Sequence, residues 1–243
     1  MRRILVLLLL AVGWLAAQTP KYGVCVSSEQ LRHYATVSGP RLSPDGKQVV
    51  WTQRESTADG SASHLWLAPS DGSAAARQIT FSPASDKGGE SGPEWMPDGS
   101  AILFTARRGE TRQIFRLPLA AGGEAAPIEL KVGKLEISAG SFEISPDGKW
   151  LAVRASQPLT EAEKKDEKDK KDAAVQGEET HPSRIWLYSL ADRTTVPLTP
   201  LDRSAGAVAW SPDSQELAIV TETPGDASDV TPHAKLEIVS VAP

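Results

Sequence analysis

One turn, written four times, limits this chain more than anything else in it. Ser43-Pro44-Asp45-Gly46, Met96-Pro97-Asp98-Gly99, Ser145-Pro146-Asp147-Gly148 and Ser211-Pro212-Asp213-Ser214 recur along its 243 residues. Proline presets φ for the first central position of a tight turn, aspartate accepts bonds from the amides that follow, and glycine supplies the positive φ that closes a bulged hairpin. Ser214 stands where glycine matters most, so the fourth turn is expected to be strained or of another type.

Each turn is followed by a short apolar run: Val49-Val50-Trp51, Ile102-Leu103-Phe104, Trp150-Leu151-Ala152-Val153 and Leu217-Ala218-Ile219-Val220. Branched and aromatic residues of this kind suit strands, and unbroken apolar runs suit strands covered on both faces. A second run follows each one (Leu65-Trp66-Leu67, Ile114-Phe115-Arg116-Leu117, Ile185-Trp186-Leu187-Tyr188, Leu236-Glu237-Ile238-Val239), and three units add a third run near Ile79-Thr80, Ile128-Glu129-Leu130 and Val196-Pro197-Leu198-Thr199. With the strand entering the turn, a full unit has four strands. Trp66 to Asp98, Phe115 to Asp147 and Trp186 to Asp213 are separations of 32, 32 and 27 residues, whereas Asp45 to Trp66, Asp98 to Phe115, Asp147 to Trp186 and Asp213 to Ile238 span 21, 17, 39 and 25. Length is nearly fixed in one half of the unit, and all the large insertions fall in the hairpin between the second and third strands, as expected of a loop outside a stacked repeat.

Four-stranded units of about 40–50 residues, repeated around a ring, are β-propeller blades. A β-sandwich would not repeat the same turn at one position of every unit, and a leucine-rich solenoid would have shorter repeats. The sequence thus predicts an all-β propeller over residues 38–243, with blades at about 38–83, 91–132, 138–200 and 205–243. The fourth unit stops after its third strand, which leads us to expect the N-terminal piece of a longer protein.

Residues 1–17 read as a secretory signal: Arg2 and Arg3 precede the apolar run Ile4 to Leu15, and Ala16-Ala17-Gln18 supplies small residues for cleavage. Twelve helical residues rise only about 18 Å, against roughly 30 Å for a bilayer core, which disfavours an anchor. Residues 18–37 form a lead-in with a short helix around Ser28-Glu29-Gln30-Leu31. The single Cys25 permits neither an intrachain disulfide nor a thiolate zinc site. Carboxylates outnumber basic residues 31 to 26, which argues against a nucleic-acid partner. In the third unit a charged insertion, 161–180, begins with Glu161 to Asp172, a stretch in which Ala162 alone is uncharged. It reads as a solvated, partly helical loop with Glu-to-Lys pairs, on the face opposite the turns.

Several stretches together carry a family likeness. They are Glu29-Gln30-Leu31 leading to Val37-Ser38-Gly39-Pro40 and the first turn; the lysine-rich insertion followed by Ser183-Arg184-Ile185-Trp186; Pro197-Leu198-Thr199; and Ala209-Trp210-Ser211-Pro212-Asp213. In this order they resemble the N-terminal propeller of secreted bacterial serine peptidases of the prolyl oligopeptidase family, in the dipeptidyl-peptidase and acylaminoacyl-peptidase branch. The turn repeat alone is shared with the TolB-like propellers of Gram-negative periplasms; the insertion and Ser-Arg-Ile-Trp favour the peptidase. The resemblance implies a partner C-terminal α/β-hydrolase domain that holds the catalytic serine, aspartate and histidine, with the propeller restricting access to short peptides.

None of that catalytic machinery is assigned here. A nucleophile elbow needs Gly-x-Ser-x-Gly, and Gly89-Glu90-Ser91-Gly92 has the wrong spacing. His33, His64, His181 and His233 fall in expected loops or at element ends and read as surface histidines. Asp45, Asp98, Asp147 and Asp213 build turns and lack the alternating acidic spacing of a calcium loop. Glu178-Glu179 invites comparison with the paired glutamates by which some dipeptidyl peptidases hold a substrate amino group, but reads as solvated carboxylates. Trp51, Trp66, Trp95, Trp150, Trp186 and Trp210 read as blade core. The expectation is a non-catalytic, substrate-gating propeller, secreted or periplasmic, with no metal, no cofactor and no membrane association after signal cleavage. The alternative is a periplasmic, TolB-like propeller that binds a protein partner.

Overall fold

The computed structural model describes residues 35–57, 60–82, 89–109, 111–120, 123–169, 181–223 and 233–241. The signal, Cys25, the lead-in helix, His33, Glu178-Glu179 and the distal insertion lie outside them. Within them the chain builds successive antiparallel sheets from strands consecutive in sequence. The first holds β1 (Ala35–Leu42), β2 (Gln48–Thr57), β3 (Gly60–Pro69) and β4 (Arg77–Gln78); the second β5 (Glu90–Trp95), β6 (Ala101–Arg108), β7 (Thr111–Pro118) and β8 (Ala126–Ile128). A small hairpin, β9 (Lys131–Val132) and β10 (Leu135–Glu136), leads to the third sheet of β11 (Ser141–Ile144), β12 (Trp150–Ser156), β13 (Ser183–Ser189) and β14 (Thr195–Pro197). The fourth has β15 (Ser204–Trp210), β16 (Glu216–Thr223) and β17 (His233–Ser240). A helix, α1 (Glu161–Lys168), lies between β12 and β13. The first strands of neighbouring sheets touch in succession, β1 with β5, β5 with β11 and β11 with β15, so the sheets radiate like blades from an inner row. The fold is of the β-propeller type.

The alternation of side chains along a strand explains why β6 and β12 are apolar without interruption. Ile102, Phe104 and Ala106 pack with Val50, Leu65 and Leu67 of the first blade, while Ala101 and Leu103 join Leu151, Val153 and Trp186 of the third. On β12 the opposite face, through Ala152, meets Leu217 and Ile219 of the fourth. The outward faces of the first and last sheets carry apolar groups in solvent: Val37 and Leu42 on β1, Leu236 and Ile238 on β17.

All four turns close identically. Gly46, Gly99, Gly148 and Ser214 donate their amides to the carbonyls of residues 43, 96, 145 and 211 at 2.8–3.0 Å. In three of them the serine hydroxyl donates to the aspartate Oδ1 at 2.6 Å: Ser43 to Asp45, Ser145 to Asp147, Ser211 to Asp213. That bond is the main cause holding the Asp45 and Asp213 carboxyls below the usual aspartate range. Where Met96 replaces the serine, the Ser100 amide at 2.9 Å does most of the same work on Asp98. At Asp147 partial burial pushes the other way and is outweighed by Ser145 and Lys149.

The fourth turn is not of another type. Ser214 takes φ +62°, in line with +73°, +70° and +71° at the three glycines, so the strain expected of a side chain there is present but the geometry is kept. Serine has a use at this place: its buried hydroxyl accepts the Asp147 amide of the neighbouring turn at 3.0 Å. Ser214→Ala should therefore cost about 1 kcal/mol, the worth of one such bond. In Ser214→Gly, relief of about 1 kcal/mol of left-handed strain offsets the same loss, leaving stability nearly unchanged. Thermal unfolding of the two variants checks this; an alanine variant as stable as the parent would remove the interblade bond from the account, and equal losses in the two would remove the strain.

A second interblade device uses the tryptophan directly before a turn. Trp95 donates its indole N–H to the Arg41 carbonyl at 3.1 Å, and Trp210 donates to the Glu143 carbonyl at 3.3 Å, each reaching one blade back. A third device closes blades laterally. Thr80 and Thr199, both buried, accept the Leu65 and Ile185 amides at 2.8 and 3.1 Å, binding the end of a blade to its third strand.

Candidate functional site

Antiparallel order places the β2–β3, β6–β7, β12–β13 and β16–β17 connections on one rim and the Asp-bearing turns on the other. The insertion therefore projects from the hairpin rim. Its helix α1 starts with a capping box: Glu163 donates its amide to Thr160 Oγ1 at 3.3 Å, and its Oε2 accepts the Thr160 amide at 2.7 Å. The Thr160 bonds hold the Glu163 carboxyl below its usual range. His181 Nε2 lies 3.7 Å from Glu163 Oε1, so the far end of the insertion returns to the start of the helix.

The base of the insertion is clamped by Arg184. This residue is 9% exposed; its Nε donates to the Thr199 carbonyl at 2.9 Å, its Nη2 to the same oxygen, and its Nη1 to Gln157 Oε1 at 3.0 Å. The guanidinium lies over the Trp186 ring, 5.1 Å from its centroid. Burial lowers its pKa. The Ser-Arg-Ile-Trp stretch is thus a structural clamp that pins both roots of a long hairpin, and its donors are spent on the protein itself.

His64 is not in a loop. It sits within β3, opposite Gln53 of β2, and its Nδ1 lies 3.0 Å from Oε2 of Glu90. The run Gly60-Ser61-Ala62-Ser63 that precedes it has loop composition, yet the ladder continues through it to Thr57 and Gly60. Glu90 is 1% exposed and also meets Arg108 Nη2 at 3.4 Å. Arg108 stacks over Phe115, 5.2 Å from the ring centroid, and Phe115 stacks on Phe104 at 5.6 Å. One buried carboxylate thus ties β3 of the first blade to β6 of the second. Gly89 makes this possible: at φ +59° it lies so close to β3 that a Cβ would come within 2.3 Å of the Ser63 carbonyl oxygen. Glu90 is next to a hollow of about 430 Å³ whose walls include Ile79, Phe81, Phe104 and Leu117.

Between the second and third blades the hairpin rim opens into a hollow of about 240 Å³ that Arg107, Arg112 and Arg154 line together with Ser138, Ser156 and Ser183. On the turn side a cleft of about 740 Å³ carries both signs of charge, with Arg116, Lys131 and Arg193 against Glu129, beside the buried Tyr188. Burial pushes the Tyr188 phenol up.

The tryptophans divide into kinds. Trp186 is 1% exposed and Trp95 is buried, whereas Trp51, Trp66, Trp150 and Trp210 are half-buried. His181 lies at the root of the insertion, and His233 pairs with Thr223 at the start of β17. The turn aspartates are spread one per blade and accept bonds from their own turns. The sequence reading missed a set of bulges: register shifts interrupt β1 between Ser38 and Arg41, β5 between Ser91 and Glu94, and β15 between Ala205 and Val208. The signal was present as a second repeat, Ser-Gly-Pro at 38–40 and 91–93, with Gly39 and Gly92 at φ +58° and +62°.

No protein-family model matches the chain. It is 32% identical over 122 residues to dipeptidyl-peptidase 5 of Aspergillus fumigatus, a match covering 46% of this chain and 17% of that protein. It is 30% identical over 155 residues to the uncharacterized peptidase YuxL of Bacillus subtilis, covering 51% of this chain and 22% of the relative. The chain thus spans about a fifth of the length of these relatives. Among solved structures, the β-propeller domain of the Trilobed protease from Pyrococcus furiosus, described as having an open velcro topology, superposes with a TM-score of 0.55 at 14% identity, over 85% of this chain and 55% of that one.

The chain is a β-propeller segment related in sequence to peptidases.

Proposed function

We propose that this segment serves as the non-catalytic, substrate-gating part of an exported serine peptidase that acts on short peptides. The observation that carries the reading is the sequence relationship to two peptidases, which runs through blades holding no nucleophile elbow of their own. The rest of the geometry supports a lid. Length and charge accumulate on one rim, where α1 and the insertion root project, while the opposite rim carries four tight turns closed by the same backbone hydrogen bond. The apolar outward faces at Val37, Leu42, Leu236 and Ile238 are suited to further blades. In this reading the reacting serine, histidine and aspartate belong to a hydrolase domain on the hairpin side, and the blades set the size of what reaches it.

The test uses the natural full-length protein isolated from its source. A fluorophosphonate should label one serine outside residues 1–243, and peptides of about four residues should be cleaved at least 100-fold faster than unstructured chains of about forty, a difference of about 2.7 kcal/mol in barrier. Absence of labelling overturns the peptidase reading and leaves a propeller that binds a protein partner. Labelling without size discrimination overturns the gating role alone.

A further inference from the structure

We propose that the cleft between the second and third blades on the turn side binds a small, neutral aromatic molecule whose carbonyl oxygen accepts a hydrogen bond from Tyr188. Its volume of about 740 Å³ lies within the roughly 300–1,000 Å³ of small-molecule sites. The cleft cuts into the core cluster of these blades, so that Met96, Ile128 and Tyr188, none more than 9% exposed, supply its floor.

Two of these residues break the repeat. Met96 stands where the other three turns have serine, and its turn forgoes the hydroxyl bond to aspartate that Ser43, Ser145 and Ser211 make. Tyr188 is paired with Leu151, four residues after the turn aspartate, and the same ladder place holds Ala68, Leu117 and Val239 in the other blades. A blade thus needs no hydroxyl there. A buried tyrosine ordinarily finds a partner for its O–H, and the Tyr188 hydroxyl has none among the described residues.

The phenol is held in a set position. Its strand is paired on both sides at this point, to Leu151 of β12 and Thr195 of β14, and its ring is packed in the core. Burial pushes the phenol up, so it is a donor at neutral pH; Arg193 and Glu129, both on the cleft walls, act on it in opposite directions, which puts the hydroxyl at the cleft. The walls carry both signs of charge, with Glu129 held by Lys131 at 3.0 Å, and this favours a neutral molecule over an ion. The Met96 thioether suits contact with an aromatic ring, and Pro127 and Ile128 add apolar wall.

The cleft and its ligand do not depend on the peptidase reading. The experiment uses the full-length protein pretreated with a fluorophosphonate, so that a serine active site cannot turn the probe over. Phenylacetamide, a neutral aromatic carbonyl compound, is titrated by saturation-transfer NMR and should bind with a dissociation constant of about 1–5 mM, as befits a ligand of its size. Tyr188→Phe keeps the ring, and Met96→Ser restores the residue of the other turns, so both variants should fold with a Tm close to the parent's. Each should weaken binding about fivefold, the first through the lost hydrogen bond and the second through the lost sulfur contact. Tyr188→Leu, the second blade's residue at this place, gives the same reading by a second route. Phenylacetate, the same ring with a charged acceptor, should bind no more tightly than the amide. No saturation below about 20 mM in the unaltered protein, or unchanged affinity in any of the variants, overturns the site. Phenylacetate binding about tenfold more tightly than the amide overturns the neutral class of ligand.

Discussion

Replacing Trp186 by alanine should cost about 3–5 kcal/mol, enough to unfold a domain of ordinary stability near body temperature. Trp186 is the bulkiest of the fully buried side chains among the described residues. It fills the space between the second and third blades against Leu151, Val153 and the β9–β10 hairpin, and its indole N–H donates to the Ala155 carbonyl at 3.2 Å. The substitution also takes away the platform under the Arg184 guanidinium, leaving the clamp at the insertion root without its stacking partner. Trp186→Phe keeps most of the volume and should lose about half as much. Urea unfolding followed by far-ultraviolet circular dichroism reads both. An alanine variant within about 1 kcal/mol of the parent would mean that this interblade space collapses freely, against the packing described.

Gly89→Ala should be nearly as damaging, at about 3 kcal/mol or more, although it adds a single methyl group. The added carbon would lie 2.3 Å from the Ser63 carbonyl oxygen and 2.7 Å from its nitrogen, both of them backbone atoms within a paired strand that cannot swing aside. Left-handed φ adds about 1–2 kcal/mol on its own. Gly92 separates the two contributions: it has φ +62° and nothing within 4 Å of the place a methyl group would take, so Gly92→Ala should show the backbone cost alone. If the two alanine variants proved equally stable, the close crossing of chain between the first two blades, and with it the buried seat of Glu90, would have to be abandoned.

The parts of the fold legible in the sequence are those written locally. A Pro-Asp-Gly turn needs four adjacent residues, and a strand covered on both faces needs a short apolar run, so β2, β6, β12 and β16 stand out without knowledge of partners. What stays hidden depends on register. Arg107 and Arg112 become neighbours through the β6–β7 ladder, and Arg154 joins them from another blade. His64 and Glu90 are 26 residues apart and meet where one blade hands over to the next. The composition before His64 reads as loop because small polar residues alternate there, and the pairing of β3 with β2 overrides it. Likewise the extra length of the first unit lies in two ten-residue strands rather than in a loop. Ser214 is visibly the odd member of its series, but its reason, a hydroxyl offered to the preceding blade's turn, emerges only when the neighbour is seen.

The strictly consecutive order of strands within every sheet bears on how the protein is made. Within a sheet each strand after the first pairs with the one just before it, so the described blades need no distant part of the chain to form, and contacts local in sequence form fast. During synthesis the first blade can assemble while later ones are still being translated, and each finished sheet then offers its apolar face as a template for the sheet that follows. The slow events should be the dockings between blades, where Trp95 and Trp210 reach back and Gly89 threads against β3. Translation pauses that give those dockings time would raise the yield of folded protein more than any change within a blade.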